Sequence, residues 1–213
     1  MLEDITTEQI KHKFQSNKTL KLVTIGVGIL IAGVLAYFVY RQFMWKPANE
    51  KSKESYWAGL NYADMDSTDM AIDELKRNTK KFDGKIGGEV SQFVYASQLM
   101  KKGEFKKAIA ELEGVDISDT YVSVMSIGLQ ADCHSELEDY EKAANLYLEA
   151  ADANQNDLTT PMYLFKAGLC AEEIKNIEKA KECYVRIQDE FPSFASQKQI
   201  KKYIARVSSK IIE

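Results

Sequence analysis

The 213-residue sequence contains little proline, glycine, cysteine or histidine, and each shortage excludes a class of protein. Three prolines and 11 glycines are too few for a low-complexity chain and favour a helical one. Three cysteines without a C-x-x-C spacing indicate neither a disulfide framework nor a zinc site. The two histidines, His12 and His134, have no neighbours in sequence that would complete an acid–base or nucleophilic group.

A phosphate-binding G-x-x-x-x-G-K loop is also missing, and the many carboxylates are dispersed along the chain. We therefore predict that the protein is not an enzyme, with no catalytic, metal-binding or cofactor-binding residues and no small-molecule substrate. For the three cysteines we favour buried, reduced side chains. An oxidising compartment would still permit a bridge between Cys170 and Cys183.

Charge is distributed unevenly along the chain. Residues 1–53 carry eight basic and four acidic side chains, whereas residues 54–213 carry 20 basic and 28 acidic ones, a net charge of −8. A domain that binds nucleic acid should itself be basic, so this distribution argues against nucleic acid as a partner. A basic segment joined to an acidic domain instead fits a membrane protein.

One long apolar run stands near the N-terminus. Leu22 to Tyr40 are 19 residues without a charged side chain, which as a helix would span about 28 Å, close to the thickness of the hydrocarbon layer. No small-x-small cleavage site follows the run. We therefore predict a retained transmembrane signal anchor at 22–40, between a short tail at 1–21 and a linker at 41–53.

Small residues recur every four positions along one side of this run, at Thr24, Gly28, Ala32 and Ala36. Such a stripe lets a second membrane helix approach closely, so it predicts a packing face. Small residues are also common in membrane helices generally, and the pattern leaves both interpretations open.

The orientation of the anchor does not follow from charge, because Lys and Arg are equally numerous on its two flanks. A long folded domain can be translocated regardless of its charge. We therefore prefer an arrangement with the tail in the cytoplasm and the C-terminal domain outside.

The rest of the chain repeats itself with a period of 35–37 residues. A period in this range is the mark of stacked helical hairpins. It predicts an all-α fold at 54–213, an α-solenoid of about four hairpins with a C-terminal capping helix at 193–213. The period is marked by four alanines, each preceded twelve positions earlier by another small residue: Gly59 and Ala71, Ala96 and Ala108, Ala131 and Ala143, Gly168 and Ala180.

These positions resemble the tetratricopeptide repeat, in which a small residue of the first helix meets an alanine of the second. The first repeat departs from the pattern, with Asp66 and Thr68 where Gly and Tyr are usual. The resemblance implies a concave groove lined by the second, fifth, ninth and twelfth positions of each first helix. At those positions this sequence has Tyr56, Leu60, Val90, Phe93, Met100, Met125, Met162, Phe165 and Leu169, with Ser97 and Asp132 among them.

The Lys/Asn clamp by which some members of that family hold a C-terminal carboxylate is missing from these positions. An apolar, methionine-containing groove suits varied unfolded segments. Alternatively, half of these side chains pack against neighbouring helices or the cap.

The whole layout resembles the YfgM-like group of membrane-anchored tetratricopeptide proteins, and the sequence looks like its Bacteroidota branch. Asn154 to Pro161, followed by Lys166-Ala-Gly168, carries much of the likeness. The resemblance implies a single-pass protein of the bacterial cytoplasmic (inner) membrane with a periplasmic domain. Its implied role is an ancillary partner of the Sec translocon that contacts periplasmic chaperones and helps secreted or outer-membrane proteins as they emerge.

Two other interpretations stay open. The repeats could form a structural scaffold that holds folded subunits of another envelope complex and binds no unfolded client. The domain could also lie in the cytoplasm as a regulator.

Overall fold

The computed structural model describes residues 17–210, and all regular secondary structure in that range is helical. The chain divides into two compact units between Glu50 and Lys51. Most of the tail predicted at 1–21 and the last three residues of the predicted capping segment lie outside the described residues.

The first unit contains the apolar helix α1, Lys18–Tyr40. The side chain of Asn17 caps its start by accepting hydrogen bonds from the backbone N–H groups of Thr19 and Leu20. A π-helical turn follows at Arg41–Trp45, and α2, Lys46–Ser52, continues from it. By length and composition α1 can cross a membrane, and none of its residues is buried.

The second unit is a stack of four helical hairpins, which confirms the all-α solenoid predicted from the repeat. Each helix packs against the next along the chain. The pairs are α3, Trp57–Asp64, with α4, Thr68–Lys81; α5, Ile86–Lys101, with α6, Phe105–Glu113; α7, Thr120–Glu136, with α8, Tyr140–Ala153; and α9, Thr159–Glu173, with α10, Ile177–Glu190.

Small residues are required where the two helices of a hairpin cross. All six alanines of the repeat positions are completely buried. A Cβ atom on Gly168 would stand 2.5 Å from Cε1 of Tyr184, and one on Gly59 would stand 2.5 Å from Cγ of Leu75. Since such distances are far inside van der Waals contact, a larger residue at either position would force the helices apart.

The four hairpins turn in the same way. Asp66, Gly103, Glu138 and Lys175 each follow a first helix and have φ values of 52°, 74°, 61° and 59°. This left-handed conformation lets the chain reverse into the second helix. Asp66 adopts it in the first hairpin, so the departure from glycine there does not change the turn.

Polar side chains 34 positions apart contact each other along the C-terminal half of the solenoid. Because the repeats themselves are 35–37 residues apart, these contacts join positions that are slightly offset between neighbouring repeats. The contacts are Lys166 Nζ to Asp132 Oδ1 at 2.6 Å, Lys179 Nζ to Asn145 Oδ1 at 2.8 Å, Arg186 Nη1 to Asp152 Oδ1 at 2.7 Å and Arg206 Nη2 to Glu172 Oε1 at 2.5 Å.

The C-terminal segment, predicted as one capping helix, consists of two helices. Pro192 begins the short α11, Pro192–Lys198, and α12 spans Ile200–Lys210. Gln199 separates them with a left-handed φ of 54°. This break lets α12 pack against α10 and bury Ile200 and Val207 completely.

The interior of the solenoid has two apolar clusters. The N-terminal cluster includes Leu75, Leu99 and Leu112, and the C-terminal cluster includes Tyr184 and Ile187. The three cysteines are free and buried within these clusters, as predicted for reduced side chains. Burial raises the pKa of the thiols at positions 133 and 183 to about 11.

Candidate protein-binding groove

The nine side chains predicted to line a groove all keep some exposed surface. They belong to the first helices of the hairpins or, for Tyr56, to the residue before one. Met125 and Leu169 are 40% and 37% exposed, and the other seven are half-buried. A partner could therefore reach each of them, but the structure brings only some of them together.

Three of them line one pocket at the C-terminal end of the solenoid. Met162, Phe165 and Leu169 are three and four residues apart, so they share one side of α9. The pocket has a volume of about 680 Å³. Its remaining lining comes from α9 itself, from the loop before α9 and from α11: Lys166, Asp157, Leu158, Ser193, Phe194, Gln197 and Lys198.

Aromatic packing holds this C-terminal pocket in shape. The ring centroid of Phe165 lies 4.9 Å from that of Tyr203 and 6.4 Å from that of Phe194, both in edge-on geometry. Lys198 Nζ lies 5.8 Å from the centroid of the Phe165 ring, within range of a cation–π contact. Leu158 at the pocket edge is 71% exposed, so the apolar surface opens to solvent.

A second, more polar pocket is lined by residues of the second, third and fourth hairpins, with a volume of about 440 Å³. Lys166 lines both this central pocket and the C-terminal one, so the two adjoin at α9. We call the two pockets together the groove. The central pocket is lined by Met100, Phe105, Asp132, Ser135, Glu136, Tyr147 and Lys166.

A hydrogen-bonded network fixes the polar centre of the groove. Asp132 accepts hydrogen bonds from the Tyr147 hydroxyl and from Lys166 Nζ. Lys166 Nζ also lies 5.3 Å from the centroid of the Tyr147 ring. Burial, and then the bond to Asp132, raises the pKa of Tyr147, so its hydroxyl stays protonated as a donor. These groups position one another and supply no activated nucleophile.

Of the other predicted groove residues, Met100 and Asp132 line the central pocket, and the rest line neither pocket. Phe93 packs against the N-terminal apolar cluster, as does Met100 at the edge of the central pocket. Tyr56 lies against Trp57, with ring centroids 5.2 Å apart. For Leu60, Val90 and Met125 a role in binding stays a prediction.

Sequence reasoning missed most of the lining residues, among them Leu158, Phe194, Tyr147 and Lys166. Leu158 precedes a first helix and Phe194 falls in the predicted cap, while Tyr147 and Lys166 occupy none of the four groove positions. One signal could have found part of the network. Asp132 and Lys166 carry opposite charges and are 34 residues apart, which is close to the repeat period of 35–37 residues.

The predicted packing face of α1 is exposed along its whole length, at Thr24, Gly28, Ala32 and Ala36. Thr24 Oγ1 donates to the Leu20 carbonyl at 2.8 Å, which satisfies the hydroxyl within the helix itself. A second helix on this face stays a prediction. Between residues 17 and 210, no three His, Cys, Asp or Glu side chains converge as metal ligands would.

Comparison with known proteins bears on the repeat domain. A tetratricopeptide-repeat family model matches residues 163–193, which contain most of α9 and all of α10. No curated protein matches the sequence. Among solved structures, the crystal structure of the apo form of RapI is 18% identical, with 92% of this chain and 71% of that chain covered and a TM-score of 0.59. The chain thus carries a tetratricopeptide-like helical-repeat domain, an architecture whose extended surfaces bind other proteins.

Proposed function

We propose that this protein is a single-pass membrane protein whose repeat domain binds apolar segments of other proteins in the groove. The observation that carries the proposal is the C-terminal pocket, where Met162, Phe165, Leu169 and Leu158 present open apolar surface. Exposed apolar patches of this kind mark sites of protein interaction.

Anchoring in the membrane is supported by α1. A helix of 23 residues is long enough to cross the hydrocarbon layer, and its large apolar side chains are exposed, with Ile29 at 68%. A helix from a soluble core would bury one side. We infer that α1 crosses the bacterial inner membrane, with the N-terminus in the cytoplasm and the repeat domain in the periplasm.

The character of the groove supports unfolded segments as clients. Methionine is flexible and polarisable, so Met100 and Met162 can adapt to apolar side chains of different shapes. Anchoring would hold the groove near chains that leave the membrane and raise their effective concentration.

The identity of the partners rests on the resemblance to the YfgM-like group. On that basis we propose an ancillary role at the Sec translocon, with translocon membrane subunits, periplasmic chaperones and emerging secreted or outer-membrane proteins as partners. The small-residue face of α1 would pack against a translocon helix.

Binding of fluorescent apolar peptides to the full chain in detergent tests the groove. Leu158→Glu and Leu169→Glu place a carboxylate on its exposed apolar surface and should weaken binding by roughly tenfold or more. Phe165 is unsuitable because its ring also packs against Tyr203. Met65→Glu is the matched control, since Met65 is 74% exposed and lies in the turn of the first hairpin.

Crosslinking in intact membranes tests the partners. Photoreactive residues at positions 32 and 169 should capture translocon subunits and periplasmic chains, respectively. If only folded envelope subunits are captured and no peptide binds, the protein is a structural scaffold.

A further inference from the structure

The chain leaves α1 through the π-helical turn Arg41–Trp45, directly after its last apolar residue. The backbone N–H of Lys46 donates to the carbonyl of Arg41, five residues earlier. In an α-helix, residues five apart lie about 140° apart around the axis. In a π turn, which has more residues per turn and i→i+5 hydrogen bonds, this angle is much smaller. The π winding therefore brings the side chains of Arg41 and Lys46 to the same side.

These two cations line one small pocket of about 180 Å³, together with Tyr37, Phe38 and Gln42. Lys46 Nζ donates to Gln42 Oε1 at 2.9 Å. Within residues 17–210, neither Arg41 nor Lys46 forms an ion pair with a carboxylate. The pocket thus holds two positive charges that no described side chain neutralises.

We propose that this pocket binds the phosphate of an anionic phospholipid headgroup, an inference that rests on the proposed membrane anchor. Headgroup phosphates lie just beyond the hydrocarbon layer, at the level where Arg41 follows the apolar run. The guanidinium of Arg41 can donate two parallel hydrogen bonds to phosphate oxygens, and Lys46 adds a second positive charge. Tyr37 places an amphipathic ring at the same level, where such rings are favoured.

The two unneutralised charges also select among lipids. A zwitterionic headgroup brings a cation of its own, which Arg41 and Lys46 would repel. A headgroup with a net negative charge, such as phosphatidylglycerol, gains from both residues.

Lipid retention by the full-length protein tests this site. The protein is titrated in detergent with phosphatidylglycerol or phosphatidylcholine, and bound lipid is counted by native mass spectrometry. We expect preferential retention of phosphatidylglycerol, weakened on the order of tenfold in Arg41→Gln/Lys46→Gln. The control Lys51→Gln/Lys53→Gln removes the same charge outside the pocket and should retain the lipid like wild type.

A second variant separates geometry from net charge. Lys46→Gln/Met44→Lys keeps the total charge but moves one cation away from Arg41, so it should also lose the preference. Equal retention by this variant or by Arg41→Gln/Lys46→Gln would overturn the proposal, as would displacement of the lipid by inorganic phosphate.

Extraction with alkaline carbonate keeps the two proposals distinct. If wild-type protein is released from membranes, the anchor itself is wrong. If the protein stays embedded but shows no preference for phosphatidylglycerol, the lipid pocket alone is wrong.

Discussion

At the scale of single residues, the left-handed turn of each hairpin is the most exacting backbone position in the solenoid. A residue with a Cβ is strained in this conformation. Of the four turn residues, Gly103 is a glycine, whereas the other three are Asp66, Glu138 and Lys175. The domain therefore carries strain at three turns that a glycine would relieve.

We expect Lys175→Gly to raise the free energy of unfolding by roughly 0.5–1 kcal/mol, because glycine adopts a positive φ without a steric penalty. Gly103→Ala should lower it by a similar amount. Lys175→Ala keeps a Cβ and should change stability little. Urea unfolding followed by circular dichroism measures all three, and a destabilising Lys175→Gly would contradict this explanation.

The buried thiols predict a loss of stability at alkaline pH. The folded-state pKa of Cys133 and Cys183 is raised by burial from 9.0 to about 11, so the unfolded chain releases these protons first. The contribution of these two thiols to the free energy of unfolding should be constant below about pH 8.5 and should fall as pH rises from 9 to 11.

Urea unfolding at successive pH values checks this expectation. Cys133→Ala/Cys183→Ala should show a shallower decline between pH 9 and 11, whatever its stability at neutral pH. Burial raises the pKa of Tyr163 to about 12, so that tyrosine destabilises the fold at higher pH and in both proteins. Equal slopes in the two proteins would show that the thiols do not contribute.

At the scale of helices, α12 takes the place of the first helix of a fifth repeat. Arg206 contacts Glu172, 34 residues earlier, in the same register as the contacts between complete repeats. Ile200 and Val207 cover the end of the C-terminal apolar cluster. A repeat array needs such a cap because its last hairpin would otherwise expose an apolar face.

Ile200→Ala should therefore lower the free energy of unfolding by about 3 kcal/mol, from lost burial and the cavity left behind. Ile174→Ala removes the same atoms from an exposed position and should cost well under about 1 kcal/mol. The two variants are compared by urea unfolding, and equal losses would mean that α12 does not stabilise the stack.

At the scale of the whole molecule, the proposed anchor places the repeat domain on one side of a membrane. The native cysteines are buried and cannot report that side in the folded protein. Met65 is 74% exposed, so Met65→Cys supplies an accessible thiol in the second unit.

We expect a membrane-impermeant maleimide to label Met65→Cys in cells whose outer membrane alone has been permeabilised. The wild-type protein, with its three buried thiols, is the control and should stay unlabelled. Labelling that requires disruption of the inner membrane would place the domain in the cytoplasm and support the regulator interpretation.

The hairpins and the apolar helix were predictable because their signals are local to the chain. Close helix crossing requires small residues at a set spacing, so Gly168 and Ala180 mark a hairpin wherever it lies in the stack. An uncharged run of 19 residues can likewise be recognised without knowing which other segments pack beside it. The left-handed residues at the turns were less evident, since Glu138 and Lys175 have no intrinsic preference for that conformation.

The sequence by itself therefore determined the helical hairpins, their period and the apolar helix. Only the tertiary structure decided which side chains form the groove. Phe194 meets Phe165 because Pro192 and Gln199 redirect the chain and α12 folds back onto α10, and Leu158 lines the same pocket from the loop before α9. The physical reason is that a helical period specifies which side of a helix is apolar, whereas the lining of a pocket depends on how separate helices pack.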